Sequence, residues 1–343
     1  MMKMFFVKLS LLVIPLALVF LLTPMLVDPF NVFHRRAVRR NGVEPNENFI
    51  KTAYILENPD RFDTFIFGSS RVGALHGERL EGRRAYNMTY SFGIPREHLE
   101  NIRCFLDAGV KIKTLIINVD EVCCAIDGTD HFTDPMHRPY PIDGNFLDFY
   151  AMYMKPEIVL QSLPIIMKNK YNDGAEWRRN FYETGWWIGY DMDTGFRFSK
   201  QDGGDDSENA ADGMLYYFYP VALDALREIA SLCADNGIEL IVFSSPMFAY
   251  QYRLSVRAGY LDFLEQLAAV TPYYNFSCLN EITQTDSNYL DPSHYKAQVG
   301  DMILDRIFKE DRTVHKADLF GEYVTQANVA QVMAALREQL RQP

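Results

Sequence analysis

The 343-residue chain is predicted to be an α/β protein with a parallel sheet, an aromatic-rich insertion and an N-terminal transmembrane helix. Three observations carry that prediction. Short apolar runs that end on turn residues alternate with segments of helical spacing, the rhythm of a parallel sheet with right-handed crossovers. At about 127–213 the rhythm breaks, and all three tryptophans (Trp177, Trp186 and Trp187) fall in that stretch. The first 28 residues are almost wholly apolar. The expected division is an anchor at 1–28, a linker or adaptor at 29–60, and an α/β domain at 61–343 that carries the insertion.

Leu9 to Val27 is nearly uninterrupted Leu, Val, Ile, Phe and Ala. With Met4 to Val7 it reaches the roughly 20 residues that cross a bilayer. Pro15 and Pro24 are tolerated in membrane helices, where neighbouring groups satisfy the freed carbonyls. A cleaved signal peptide is the rival reading, but its apolar region is usually about 7–15 residues long and ends in a small-x-small site. No such site follows Leu22. Lys3 and Lys8 flank the run on the amino side and Arg35, Arg36, Arg39 and Arg40 lie beyond it, so charge counting leaves its orientation open. The arginines suit a collar attracted to anionic headgroups. In the adaptor, Phe49, Ala53 and Leu56 are spaced for one buried helical face before Pro59.

Phe62, Phe65, Ile66 and Phe67 fit a short buried strand, Gly68 permits a sharp exit, and Ser69-Ser70-Arg71 follows. Ser70 therefore stands at the carboxyl end of a strand, where open α/β sheets bind ligands. A serine there also suits a plain helix N-cap. Ala85 to Met88 reads as a second strand, 89–95 as a loop containing Gly93, and Leu99, Ile102, Phe105 and Leu106 as a helix that ends at Gly109. A third strand, Thr114 to Val119, runs into Asp120-Glu121.

In the insertion, His131, His137, Tyr140, Tyr150, Tyr153 and Tyr190 join the tryptophans, ahead of an acidic stretch at 202–212. These suit a lid or substrate platform over the strand ends, or a satellite core. His131 and His137 have no partner at a metal-ligand spacing. Val221, Leu223, Leu226, Ile229 and Ala230 then form a helix face that ends at Gly237, and Ile238 to Phe243 a fourth strand. Ser245 at its end is a rival nucleophile, although the following Pro246 suits a structural turn. Leu261, Leu264, Leu267 and Ala268 continue as helix, Tyr273 to Cys278 as a fifth strand, and 326–340 as an amphipathic helix with Val329, Val332, Met333 and Leu336 on one face.

A net charge of -11 opposes nucleic acid as the main partner. The five cysteines (Cys104, Cys123, Cys124, Cys233 and Cys278) form no Cys-x-x-Cys pair and read as small buried apolar residues. Neither a metal nor a cofactor is expected.

Asp291 and His294 stand three residues apart in Tyr289-Leu290-Asp291-Pro292-Ser293-His294-Tyr295, just before a helix-like run through Val299, Met302, Ile303 and Ile307. One local turn can present both side chains to the same crevice. With Ser70 they supply the nucleophile, base and orienting carboxylate of a serine triad.

Gly68-Ser69-Ser70 on an early strand end, with Asp291-x-x-His294 before a late helix, resembles the SGNH (GDSL-like) hydrolase superfamily. The resemblance implies a three-layer SGNH-like fold with Ser70, His294 and Asp291 as its catalytic residues. It also puts Gly93, Asn87, Arg71 and Asp120 among the oxyanion or substrate-binding candidates. The superfamily's Gly-x-Asn-Asp block is altered here to Asn118-Val119-Asp120-Glu121. An ionised carboxylate cannot stabilise an oxyanion, which leaves the Ser70 amide and an amide near Gly93 as donors, with Asp120 capping a turn or holding Arg71.

The N-terminal anchor, the Asp28-Pro29-Phe30-Asn31-Val32-Phe33-His34 exit and Tyr86-Asn87-Met88 narrow the likeness. They resemble the membrane-anchored SGNH-like proteins of bacterial cell envelopes, among them the D-alanyl transfer proteins of teichoic acids. That implies a single-pass protein with its catalytic domain outside the cytoplasm, partnered with a membrane-bound O-acyltransferase. It would act as an esterase or acyltransferase on polysaccharide or teichoic acid. The alternative is a catalytically inactive glycan-binding or scaffolding partner of such a transferase.

Overall fold

The N-terminal apolar run folds as one helix, α1 (Met2–Val27). Met4–Val27 is long and apolar enough to cross a membrane, and none of its most apolar 18-residue window is buried. After residues 28–46 comes α2 (Glu47–Glu57), which stops just before Pro59, where proline would remove a donor and clash with the preceding turn. The elements that follow are β1 (Thr64–Phe67), β2 (Ala85–Asn87), α3 (Pro95–Asp107), β3 (Thr114–Val119), α4 (Val122–Ala125), α5 (Phe146–Met152), α6 (Pro156–Lys168) and α7 (Ala175–Glu183). The chain continues through α8 (Tyr219–Asn236), β4 (Glu239–Ser244), α9 (Ala249–Arg257), α10 (Tyr260–Val270), β5 (Tyr273–Asn275), α11 (Glu281–Gln284), α12 (Ala297–Phe308), β6 (Glu322–Val324) and α13 (Val329–Gln339). This computed structural model describes residues 2–168, 175–187, 197–198 and 218–341.

The six strands form one sheet in the order β2-β1-β3-β4-β5-β6. The first five are parallel and β6 is antiparallel to β5. Every residue of β1 and β3 is buried, as expected for central parallel strands covered on both faces. Strand order reverses between β1 and β3: the chain leaves β1 for one edge and returns to β3 on the other side. In open α/β sheets that switch point opens the crevice where ligands bind.

Two details depart from expectation. The fifth strand ends at Asn275 rather than Cys278, because the amides of Phe276 and Ser277 donate to Ser244 Oγ (3.0 and 3.2 Å) and draw the chain off the ladder. Strand β6 carries only three residues, Glu-Tyr-Val, too few for an alternating pattern to register. The C-terminal helix α13 buries Val332, Met333 and Leu336, and it packs against α10.

The chain divides into two compact units, one of Met1–Tyr54 with Thr129–Arg179, the other of Ile55–Gly128 with Asn180–Pro343. Most of the expected insertion therefore belongs with the anchor and its adaptor rather than forming a separate addition to the sheet domain. Aromatic contact explains the grouping. Phe49 of α2 stacks on Phe149 (4.2 Å between ring centroids) and on Tyr140 (5.7 Å), while Phe33 stacks on Tyr150 (5.3 Å). Asn46 Nδ2 donates to Tyr153 Oη (2.8 Å) and to the Arg138 carbonyl (2.8 Å). These aromatics form a satellite core, not a free platform. His131 and His137 stack on each other at 4.9 Å, with His137 Nδ1 2.7 Å from Asp134.

The exit from α1 is held by Asp28, whose carboxylate accepts the amides of Val32 (2.9 Å), Phe33 (2.9 Å) and His34 (2.7 Å). The Trp177 side chain, Tyr190 and the acidic stretch at 202–212 lie outside the described residues.

Candidate functional site

Gly68 ends β1 at the switch point, and a side chain there would press to 2.7 Å on both Asn118 Cβ and Val72 Cγ1. Only glycine lets the chain turn this close to β3. Ser70 opens a short 3-10 turn, Ser70–Ala74, capped by the Ser69 hydroxyl. Helix α12 packs on that turn, with Gly300 seated where a Cβ would lie 2.4 Å from the Ala74 carbonyl oxygen. The N-cap reading thus falls on Ser69, and Ser70 is half-buried.

Asp291 and His294 sit on a small hairpin. Tyr289 and Tyr295 form an antiparallel bridge, the Leu290 amide donates to the His294 carbonyl (2.8 Å), and the Lys296 amide donates to the Asn288 carbonyl (2.8 Å). Both tyrosines are fully buried, so they root the hairpin in the core. At its tip, Asp291 Oδ1 accepts the amides of Ser293 (2.8 Å) and His294 (2.9 Å), which preset the carboxylate against its own histidine.

Ser70 Oγ lies 2.8 Å from His294 Nε2. His294 Nδ1 lies 2.8 Å from Asp291 Oδ2 and 3.0 Å from Oδ1. An ionised carboxylate only accepts, so Nδ1 carries the proton, and Nε2 is the acceptor for the Ser70 hydroxyl. Burial pushes the Asp291 carboxyl up, but the hydrogen bond and charge of His294 and the two hairpin amides outweigh it, leaving Asp291 below the usual carboxylate range.

Arg71 and Asp120, both oxyanion or substrate-binding candidates, are buried. The Arg71 guanidinium is buried and forms a fork on Glu121, with Nη1 2.7 Å from Oε2 and Nη2 bonded to Oε1. Nη1 also lies 3.1 Å from Asp120 Oδ2, and Nε donates to the Ser293 carbonyl (2.7 Å). The residue after the nucleophile therefore clasps the residue before the base. Burial alone would lower the Arg71 pKa, yet the charges of Glu121 and Asp120 hold it above its ordinary value. Burial and the neighbouring Asp120 charge push the Glu121 carboxyl up against the pull of Arg71.

Asp120 both caps the turn after β3, its Oδ1 accepting the Val122 amide (3.0 Å), and holds Arg71; its Oδ2 in addition accepts the Ser69 hydroxyl (2.5 Å). With its amide turned so that nitrogen faces the carboxylate, Asn118 adds a further donor to Asp120 Oδ2 at 3.3 Å.

Asn87, another of the candidates, braces the turn. Its Nδ2 donates to the Val72 (2.6 Å) and Leu75 (3.2 Å) carbonyls, and its Oδ1 accepts the Thr89 amide (3.0 Å). Gly93 packs against the Gly68 carbonyl, where a Cβ would come to 2.5 Å, and its own amide donates to the Tyr90 carbonyl (3.3 Å). Gly93 is thus beside the nucleophile turn, but its N–H is spent within its own loop. Ser245 is fully buried and bonded to the Asn118 amide, a structural place without access to a substrate. Trp187 donates its amide to the Gly73 carbonyl (3.0 Å), so this part of the expected insertion buttresses the Ser70 turn.

Sequence reasoning missed Ser69, Glu121, Ser293 and Gly300 as parts of the site. The signal available was the adjacency of Arg71 and a double carboxylate, each at the end of a buried strand, where a buried charge must find its opposite. The chain matches no protein-family model and no curated protein sequence.

Proposed function

We propose that this protein is a membrane-anchored serine esterase or acyltransferase of SGNH-like type, working outside the cytoplasm on acyl groups of a cell-envelope polymer. The observation that carries the catalytic part is the Ser70–His294–Asp291 relay, with 2.8 Å at each of its two links. Ser70 Oγ attacks an ester or thioester carbonyl and passes its proton to His294 Nε2, while Asp291 stabilises the resulting imidazolium. As the tetrahedral adduct collapses, the bond to the leaving oxygen or sulfur breaks and His294 returns the proton to that atom. The acyl group then rests on Ser70 as an ester. Water or a sugar hydroxyl attacks it, His294 takes the attacking proton, and the Ser70 hydroxyl is regenerated. The Ser70 amide is the candidate oxyanion donor, since it belongs to the attacking residue.

The second reading, a non-catalytic glycan-binding or scaffolding protein, is favoured by one observation. Asp120 stands near where the superfamily's asparagine donor is expected, and it is engaged with Ser69 and Arg71. A fluorophosphonate probe separates the two. Catalysis predicts labelling of the wild type and none of Ser70→Ala. Equal labelling of both, or of neither, sinks the assignment of Ser70 as nucleophile.

A further inference from the structure

Helix α6 is apolar and yet poorly covered. Ile158, Val159, Ser162 and Ile165 are buried, whereas Leu160 (64%), Leu163 (43%), Ile166 (51%) and Met167 (83%) are exposed. Of the exposed residues from Leu160 to Met167, only Gln161 is polar. The buried Ser162 hydroxyl is satisfied inside the helix by the Ile158 carbonyl (2.8 Å). A helix apolar all round is at home in a core or in lipid, and an exposed apolar patch calls for a partner.

Helix α6 packs against α1, so the two share surroundings. The apolar length of α1 is clear of protein until Thr23 and Pro24, where burial begins. Thirteen residues reach about 20 Å, too short for a hydrocarbon core of about 30 Å. The flanks are basic, with Lys155 before the helix and Lys168 and Lys170 at its end. The charge of the whole unit agrees. Residues 1–54 and 129–179 contain 13 Lys and Arg against 10 Asp and Glu, a net +3, while the remaining residues hold 21 against 35, a net -14. Anionic headgroups attract such a unit.

We propose that α6 is a second, interfacial membrane helix: it lies at the headgroup–acyl boundary beside the end of α1, with Leu160, Leu163, Ile166 and Met167 in lipid. The occupant of the bare face is the bilayer itself. The proposal rests on the reading of α1 as a membrane span. It turns the anchored unit from a tether into a two-helix seat, which restricts how the unit can tilt and rotate at the surface.

The test uses the full chain in nanodiscs of phosphatidylglycerol and phosphatidylethanolamine, loaded at one chain per disc so that no second copy can cover the face. A Cys104→Ser background removes the half-exposed thiol. An environment-sensitive fluorophore is placed at Leu160→Cys, Met167→Cys, Leu12→Cys or the exposed Glu228→Cys, and brominated lipids serve as quencher. Loss of most of the emission at 160, 167 and 12, with none at 228, is the expected result. Quenching at 12 but not at 160 or 167 overturns the interfacial helix while leaving the α1 span intact, and shows a face reserved for another protein. No quenching at 12 overturns the span and the proposal with it.

Discussion

Two carboxylate-centred assemblies are joined by the Arg71–Ser293 hydrogen bond, and they differ in their access to water. In the Asp291–His294 pair, the side chains are 49% and 29% exposed. In the Arg71–Asp120–Glu121 cluster they are 3%, 2% and 10% exposed. The exposed pair contains an imidazole whose Nε2 lies 2.8 Å from the Ser70 hydroxyl. The buried cluster contains an arginine, which keeps its proton. Proton transfer needs a group that can titrate and a path for substrate; holding geometry needs groups that do neither. The buried assembly fixes the loops, and the exposed one is the arrangement to which the chemistry is assigned in the proposed function.

The sharpest way to break this contrast is to delete each assembly. Ser70→Ala or His294→Ala should lower hydrolysis of a small activated acetyl ester by about 10^3-fold or more, with Asp291→Asn losing about 10^2–10^4-fold. The melting temperatures of Ser70→Ala and His294→Ala should stay near wild type, because these side chains carry little of the core. A large drop in melting temperature with Ser70→Ala would mean that the triad is also structural.

Arg71→Met should behave in the opposite way. It leaves Asp120 and Glu121 buried without their counter-charge, and breaking a buried pair costs about 3–5 kcal/mol, read from urea unfolding. Activity should fall as well, through release of Ser293 and with it His294. Unchanged stability would show that water already reaches the cluster. Asn87→Ala removes donors from the Val72 and Leu75 carbonyls and should cost about 1–3 kcal/mol, with kcat reduced more than KM because the Ser70 turn loosens.

The smallest effect is electrostatic and concerns pH. Asp291 has a lowered pKa in the folded protein relative to its ordinary 3.8. Its stabilising contribution is therefore fully present above the unfolded value and is lost as pH falls through the lower folded value. The melting-temperature gap between wild type and Asp291→Asn should be constant at neutral pH and shrink below about pH 3.8. A gap that does not change with pH would show that the Asp291 charge adds nothing to stability.

Much of the site was legible as residue types in local context. Strand β1 could be read because four apolar residues stop at a glycine, and the Asp291/His294 pair because an acid and a base three residues apart precede a periodic helix. Arg71 was legible only as a charge. Its burial could not be read, since arginine is normally exposed, and the acids that hold it are 50 residues away. The aromatics of 140–153 were visible as a cluster, but their partners Phe33 and Phe49 lie across some hundred residues of intervening strand and helix.

By itself the sequence determined the elements: the apolar helix α1, the central strands β1, β3 and β4, and the capped turns between them. Each rests on periodicity or backbone chemistry that acts over a few residues. Only the tertiary structure decided that Ser70 and His294, 224 positions apart, come within 2.8 Å, that Asp120 serves Arg71 and Ser69, and that Thr129–Arg179 belongs with the anchor. Those outcomes depend on strand order and on which buried charge finds which partner, and such long-range pairing leaves no local pattern in a single chain.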